Sequence, residues 1–134
     1  MAPAYHARLE GYKDMLDHVE FLLCVTHQGG RAWRVWRRFS DFQLMHRQLV
    51  AGKGRHWSLP PSPEKSWFPS YVYFVVPGLT QDDAFCRRRV RELQAYLDAV
   101  LAGVPPPGMG PVKHLLGVGD PDATAAEPRP PGAG

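Results

Sequence analysis

The chain has 134 residues, 44% of them hydrophobic, and a formal net charge of +3; that length allows one domain with a real core and is too short for two ordinary ones. Its longest apolar run, Tyr71 to Val76, has six residues against the roughly 20 that a membrane helix needs, so no transmembrane helix is expected. The start, Met1-Ala2-Pro3-Ala4-Tyr5-His6, lacks a basic region followed by a long apolar stretch, so no secretory signal is expected either.

Tyr5 to Tyr12 reads as a first strand. Val19 to Thr26 and Ala32 to Phe39 are rich in β-branched and aromatic residues, and His27-Gln28-Gly29-Gly30-Arg31 between them reads as a hairpin turn. Three such strands make an antiparallel sheet, the minimum for independent stability. Cys24 and Cys86 are widely separated, and they read as packing cysteines in a reducing setting. Charge is unevenly spread: Leu9 to Glu20 carries four acids against Lys13, whereas Arg31 to Arg55 carries seven Lys/Arg against Asp41. Such polarity points to an anionic partner: lipid headgroups, nucleic acid or an acidic protein.

Ser40 reads as a helix N-cap with Gln43 completing a capping box, and Phe42, Met45, His46 and Leu49 recur at helical spacing up to Ala51-Gly52. Next comes Leu59-Pro60-Pro61-Ser62-Pro63-Glu64-Lys65. Each proline fixes φ and biases its predecessor toward extended backbone, so this stretch presents Lys65 on a stiff segment. It is either part of a phosphate pocket or a PxxP ligand or connector. A second helix is expected from about Gln81 to Leu101, with a core stripe of Cys86, Val90, Leu93, Leu97 and Val100. Gly103 to Gly108 must break it, and Pro111 to Leu116 fits a final turn or two docked on the core. Residues after Gly119 carry no large apolar side chain, so a disordered, dispensable tail is expected there.

On the second helix, taking Leu93 as zero at 100° per residue, the apolar stripe spans roughly −60° to +60° and Arg89 falls inside it at roughly −40°. Arg87, Arg88 and Arg91 point well away. An inward arginine needs an acid or a bound anion beside it; an ion pair with Asp41 or Glu20, or a chain that snorkels to water, would also serve. Arg37 and Arg38 must lie on opposite faces of the third strand. Arg38 stands before a helix N-terminus, where a phosphate would meet both a guanidinium fork and the positive end of the helix dipole; the bland reading is a solvated edge arginine. Phe39 either stacks on a sugar ring or staples the helix against Leu44.

Arg37-Arg38-Phe39-Ser40-Asp41-Phe42 with Leu44, then Leu59-Pro60-x-x-Pro63-x-Lys65, then Arg89 four residues before Leu93-Gln94-Ala95-Tyr96-Leu97, is similar to the phox-homology (PX) domain of sorting nexins and their relatives. The resemblance covers about residues 4 to 118 with its three signatures in order. It implies an α+β fold, a three-stranded antiparallel sheet packed against a helical subdomain with a proline-rich loop, over 1–118, and leaves 119–134 as tail. It also implies a pocket for phosphatidylinositol 3-phosphate, in which Arg38 contacts the 3-phosphate and Phe39 underlies the inositol ring. Lys65 would reach the 1-phosphate, and Arg89 the hydroxyls at positions 4 and 5. Phenylalanine replaces the tyrosine more often found after the second arginine, a change that keeps the stacking face. Trp67 and Phe68 occupy the place of a membrane-inserting loop, and Tyr71 to Val76 fits core, an extra strand or a partner contact.

The resulting expectation is a non-enzymatic, cytoplasmic domain that sits peripherally on endosomal membranes and serves protein transport. No metal and no cofactor are expected, because H-E-x-x-H, C-x-x-C, G-x-S-x-G and Walker sequences are all missing from the chain. No recognised nucleic-acid motif accompanies the basic patch. The alternative is a protein-interaction scaffold, with Pro60-x-x-Pro63, Pro105-Pro106-Pro107 and Pro128-Arg129-Pro130-Pro131 feeding SH3-like partners.

Overall fold

The computed structural model describes residues 4–15, 17–53, 57–61 and 83–126. Three strands, β1 (Tyr5–Asp14), β2 (Val19–His27) and β3 (Ala32–Arg38), form an antiparallel meander. Side chains alternate across it as a half-buried sheet requires. Leu9 stands opposite Leu23, which stands opposite Val35, and all three are buried on the core face. A bulge between Leu9 and Gly11 adds one residue to β1. The hairpin between β2 and β3 closes with Gly30 at φ 97°, a conformation glycine adopts without a Cβ penalty.

The chain turns from β3 straight into α1 (Phe39–Ala51). Its N-cap is Arg38, two residues before the expected Ser40. The reason is Asp41, whose Oδ2 accepts the Arg38 backbone N–H at 2.7 Å, which is the back-bond that the sequence reading gave to Gln43. Starting at Phe39 also rules out the Leu44 staple, and Leu44 is 42% exposed. Phe42, Met45 and Leu49 are buried as the helical spacing required.

Helix α2 (Asp83–Gly103) lies against β1. Gln94 clamps it there: its Oε1 accepts the Leu9 N–H at 2.7 Å and its Nε2 donates to the Ala7 carbonyl at 2.9 Å. Cys86, Leu93, Leu97 and Val100 are buried, with Val90 packed at the margin. Cys24 is half-buried on the outer sheet face, and no disulfide joins it to Cys86. After α2 a 3₁₀ turn (Pro106–Gly108) leads to α3 (Gly110–Leu116), which packs on α1 and buries Val112, Leu115 and Leu116.

Residues 119–126 correct the expected disordered tail. They fold back, and Thr124–Ala126 forms β4, antiparallel to Ala32–Arg34 of β3, so the sheet has four strands. Asp120 accounts for this, because its carboxylate takes a hydrogen bond from Arg37 at 3.0 Å and fixes the start of the return. Residues 127–134 lie outside the described residues.

Candidate functional site

The junction of β3 with α1 separates two adjacent arginines. Arg37 points to the core side, where Nε donates to the Leu115 carbonyl at 2.7 Å and Nη2 to the His114 carbonyl at 3.2 Å. A cation bonded to the last carbonyls of α3 also complements that helix's dipole. Together with the Asp120 ion pair, these bonds make Arg37 a structural residue. They also account for the hollow bordered by Arg37, Asp41, Met45, Gln48 and Leu115, whose cation is already satisfied. The Asp120 carboxyl is held below its ordinary range, first by the Asp122 backbone N–H and then by Arg37.

Arg38 faces the other way and is exposed. Sheet register puts it opposite Glu20, and opposite charges facing across strands are natural partners. Among the described residues its guanidinium nevertheless makes no ion pair. The Glu20 carboxylate instead lies 2.8 Å from His18 Nε2, and His18 Nδ1 lies 2.7 Å from Asp17. The Glu20 hydrogen bond, with help from Asp17, raises the His18 pKa against the opposing pull of desolvation and of Arg38. The bond to His18 likewise holds Asp17 below its usual value. Sequence reading missed His18. The signal available was the two-residue step from His18 to Glu20, which sets both on one side of an extended chain.

Arg89 is 6% exposed and is the one charged side chain buried among the described residues. Its guanidinium carbon lies 4.2 Å from the centroid of the Phe39 ring, a stacked cation–π geometry. Arg87, Arg88 and Arg91 on the same helix are exposed, as the helical wheel required, and Arg88 is paired with Glu92 at 3.0 Å. Seven residues further along each helix, His46 Nδ1 meets the Tyr96 hydroxyl at 2.8 Å. Burial pushes the Tyr96 phenol well above its ordinary pKa, which keeps it a neutral hydroxyl. Two rungs, Phe39 with Arg89 and His46 with Tyr96, therefore fix α1 against α2.

The structure thus brings Arg38, Phe39 and Arg89 to one junction. Lys65, Trp67 and Phe68 lie outside the described residues, as does the apolar run Tyr71 to Val76. The root of the proline segment is described: Trp57 and Leu59 pack against the core. Pro106 and Pro107 sit in the 3₁₀ turn and so depart from the extended left-handed helix that SH3-like domains read.

A family model for the PX domain matches residues 25–106, more than half of the chain, and the chain belongs to the PX domain family. A search of curated proteins returned no match. PX domains are phosphoinositide-binding modules that target proteins to membranes, and this chain is one of them. Its association with membranes is peripheral, and no described helix is long and apolar enough to cross a bilayer. The match begins inside β2 and ends before α3. Leu9 of β1 and Leu116 of α3 nevertheless belong to the same core.

Proposed function

We propose that the domain recognises phosphatidylinositol 3-phosphate and recruits its protein to endosomal membranes, acting as a binding module and not as an enzyme, in cargo sorting or transport. The observation that carries this reading is the burial of Arg89 over Phe39, immediately beside an exposed Arg38 that caps a helix. Arg38 takes the 3-phosphate with its guanidinium, supported by the N-terminal dipole of α1. Phe39 forms the floor of the pocket and Arg89 reaches the ring hydroxyls at positions 4 and 5. Lys65 binds the 1-phosphate from the proline segment, with Trp67 and Phe68 entering the lipid beside it.

The test is flotation with vesicles of phosphatidylcholine that do or do not contain 3-phosphoinositide. Binding that requires the 3-phosphoinositide and is lost in Arg38→Ala is expected. Equal binding to both vesicle types would sink the reading.

A further inference from the structure

We infer that His18 is a positioning residue for Arg38: by engaging the Glu20 carboxylate it keeps that acid off the guanidinium and leaves Arg38 available to a phosphate. The inference rests on the proposed role of Arg38 as the phosphate-binding arginine. It starts from the register, in which Glu20 of β2 stands directly opposite Arg38 of β3 on the outer sheet face. An acid so placed is the default competitor for any anionic ligand, because it can form an internal ion pair with the same guanidinium. In the structure that ion pair is not made, and Glu20 is turned to His18 Nε2 at 2.8 Å while Asp17 takes Nδ1 at 2.7 Å.

Both bonds can be kept with N–H donors on the ring only if His18 carries two protons. Loss of one proton leaves one carboxylate without its donor, and Arg38 is the cation that stands directly across from Glu20 on β3. The remaining charged groups around the cluster are already engaged or more remote. Lys13 of β1, opposite Glu20, lies over the Trp36 ring at 4.2 Å; Asp14 of β1 stands opposite Val19; Asp41 of α1 accepts the Arg38 backbone N–H. The His18 pKa is raised, first by Glu20 and then by Asp17, against desolvation and Arg38, so the ring holds its proton to higher pH than an unpaired histidine would. The phosphate and the His18 proton therefore assist each other. By reciprocity, ligand on Arg38 relieves its repulsion of the imidazolium and raises the His18 pKa further.

The expected result is that affinity for 3-phosphoinositide vesicles rises as pH falls from about 8 to about 6. A one-unit rise in the His18 pKa on binding corresponds to about a tenfold gain. The lipid phosphate itself gains a proton near pH 6, an effect shared by every variant, so the comparison is between profiles. Glu20→Gln should bind more tightly than the unaltered domain at pH 8 and follow only the pH profile of the lipid phosphate. His18→Gln should bind more weakly than the unaltered domain at pH 6 and about as well at pH 8. Nuclear magnetic resonance titration of the His18 ring should show its midpoint rising on addition of soluble inositol 1,3-bisphosphate. Vesicle binding that depends on 3-phosphoinositide but follows one pH profile in all three proteins, or a His18 midpoint that ligand leaves unmoved, overturns the inference and spares the pocket. Absence of 3-phosphoinositide dependence at every pH overturns the pocket and the inference together.

Discussion

The Arg89 guanidinium stacks on the Phe39 ring at 4.2 Å, and this contact joins a residue from the middle of the chain to the first residue of α1. It holds a cation at the junction in place, which would lower the ordering cost of the proposed headgroup binding. Phe39→Leu keeps an apolar packing surface but removes the π face. Expected losses are about 0.5–2 kcal/mol in stability and a severalfold drop in headgroup affinity, read by thermal melts and by calorimetry with soluble inositol phosphate. Unchanged melts together with unchanged affinity would show that the stack contributes nothing.

Arg38→Ala and Arg89→Ala should each weaken 3-phosphoinositide binding by about 1.5–3 kcal/mol, or about ten- to a hundredfold, as expected for loss of a charge-assisted bond. Arg87→Ala and Arg91→Ala are the controls. Both side chains are exposed, and each should lose about 1 kcal/mol at most near an anionic surface. Four equal losses in vesicle binding would mean a diffuse basic face in place of a pocket.

Truncation after Gly119 should lower the melting temperature, contrary to what the composition of the tail suggests. It removes Asp120 from Arg37 and β4 from the β3 edge. The drop should be modest, because an ion pair at the surface contributes little and β4 is short. A melt identical to that of the full chain would make the return strand energetically idle.

The same pair predicts an acid limb. The folded-state pKa of Asp120 lies below its unfolded value, so its contribution is complete above about pH 5 and is lost as pH falls through the folded value. Asp120→Asn should therefore be less stable than the unaltered domain at neutral pH. The gap should close in strongly acidic buffer, as followed by denaturant midpoints across pH. A gap that stays constant with pH rejects the assignment.

Cutting the chain at Gly103 is more severe. Val112, Leu115 and Leu116 of α3 are all buried, at about 1.5–3 kcal/mol each. Such a sum approaches the whole stability of a small domain. Loss of cooperative unfolding is expected; a sharp melt near that of the full chain would show that the core closes without α3.

The parts of the fold legible in sequence were those with a strong period. The stripe from Cys86 to Val100 gave α2 and turned Arg89 inward, because 3.6-residue periodicity fixes direction as well as type. The β-branched and aromatic content of Val19 to Thr26, bounded by the Gly29-Gly30 turn, gave β2. Elements decided by one tertiary contact were not legible. Asp41 moved the helix start by two residues through one back-bond, and β4 carries only Thr and Ala, whose pairing depends on the distant Arg37. Strand alternation set Arg37 and Arg38 on opposite faces but did not tell what Arg37 meets; α3 settles that by offering it two carbonyls. His18 escaped notice because its meaning lies in where Glu20 does not point.

At two places the end of the helical subdomain touches the root of the proline segment so closely that no side chain fits. A Cβ on Gly103 would run into the Ser58 carbonyl, and one on Gly108 into the Trp57 ring. These glycines read in sequence as mere helix breakers. They nonetheless form the seat of Ser58 and Trp57, so a methyl group added at either would displace the start of the segment that leads to the proposed Lys65 contact. In a survey of random variants, such changes would register as losses of lipid affinity with every pocket residue intact. A map of binding defects would then mark a second ring of sensitive positions, traced by backbone clearance and carrying no charge at all.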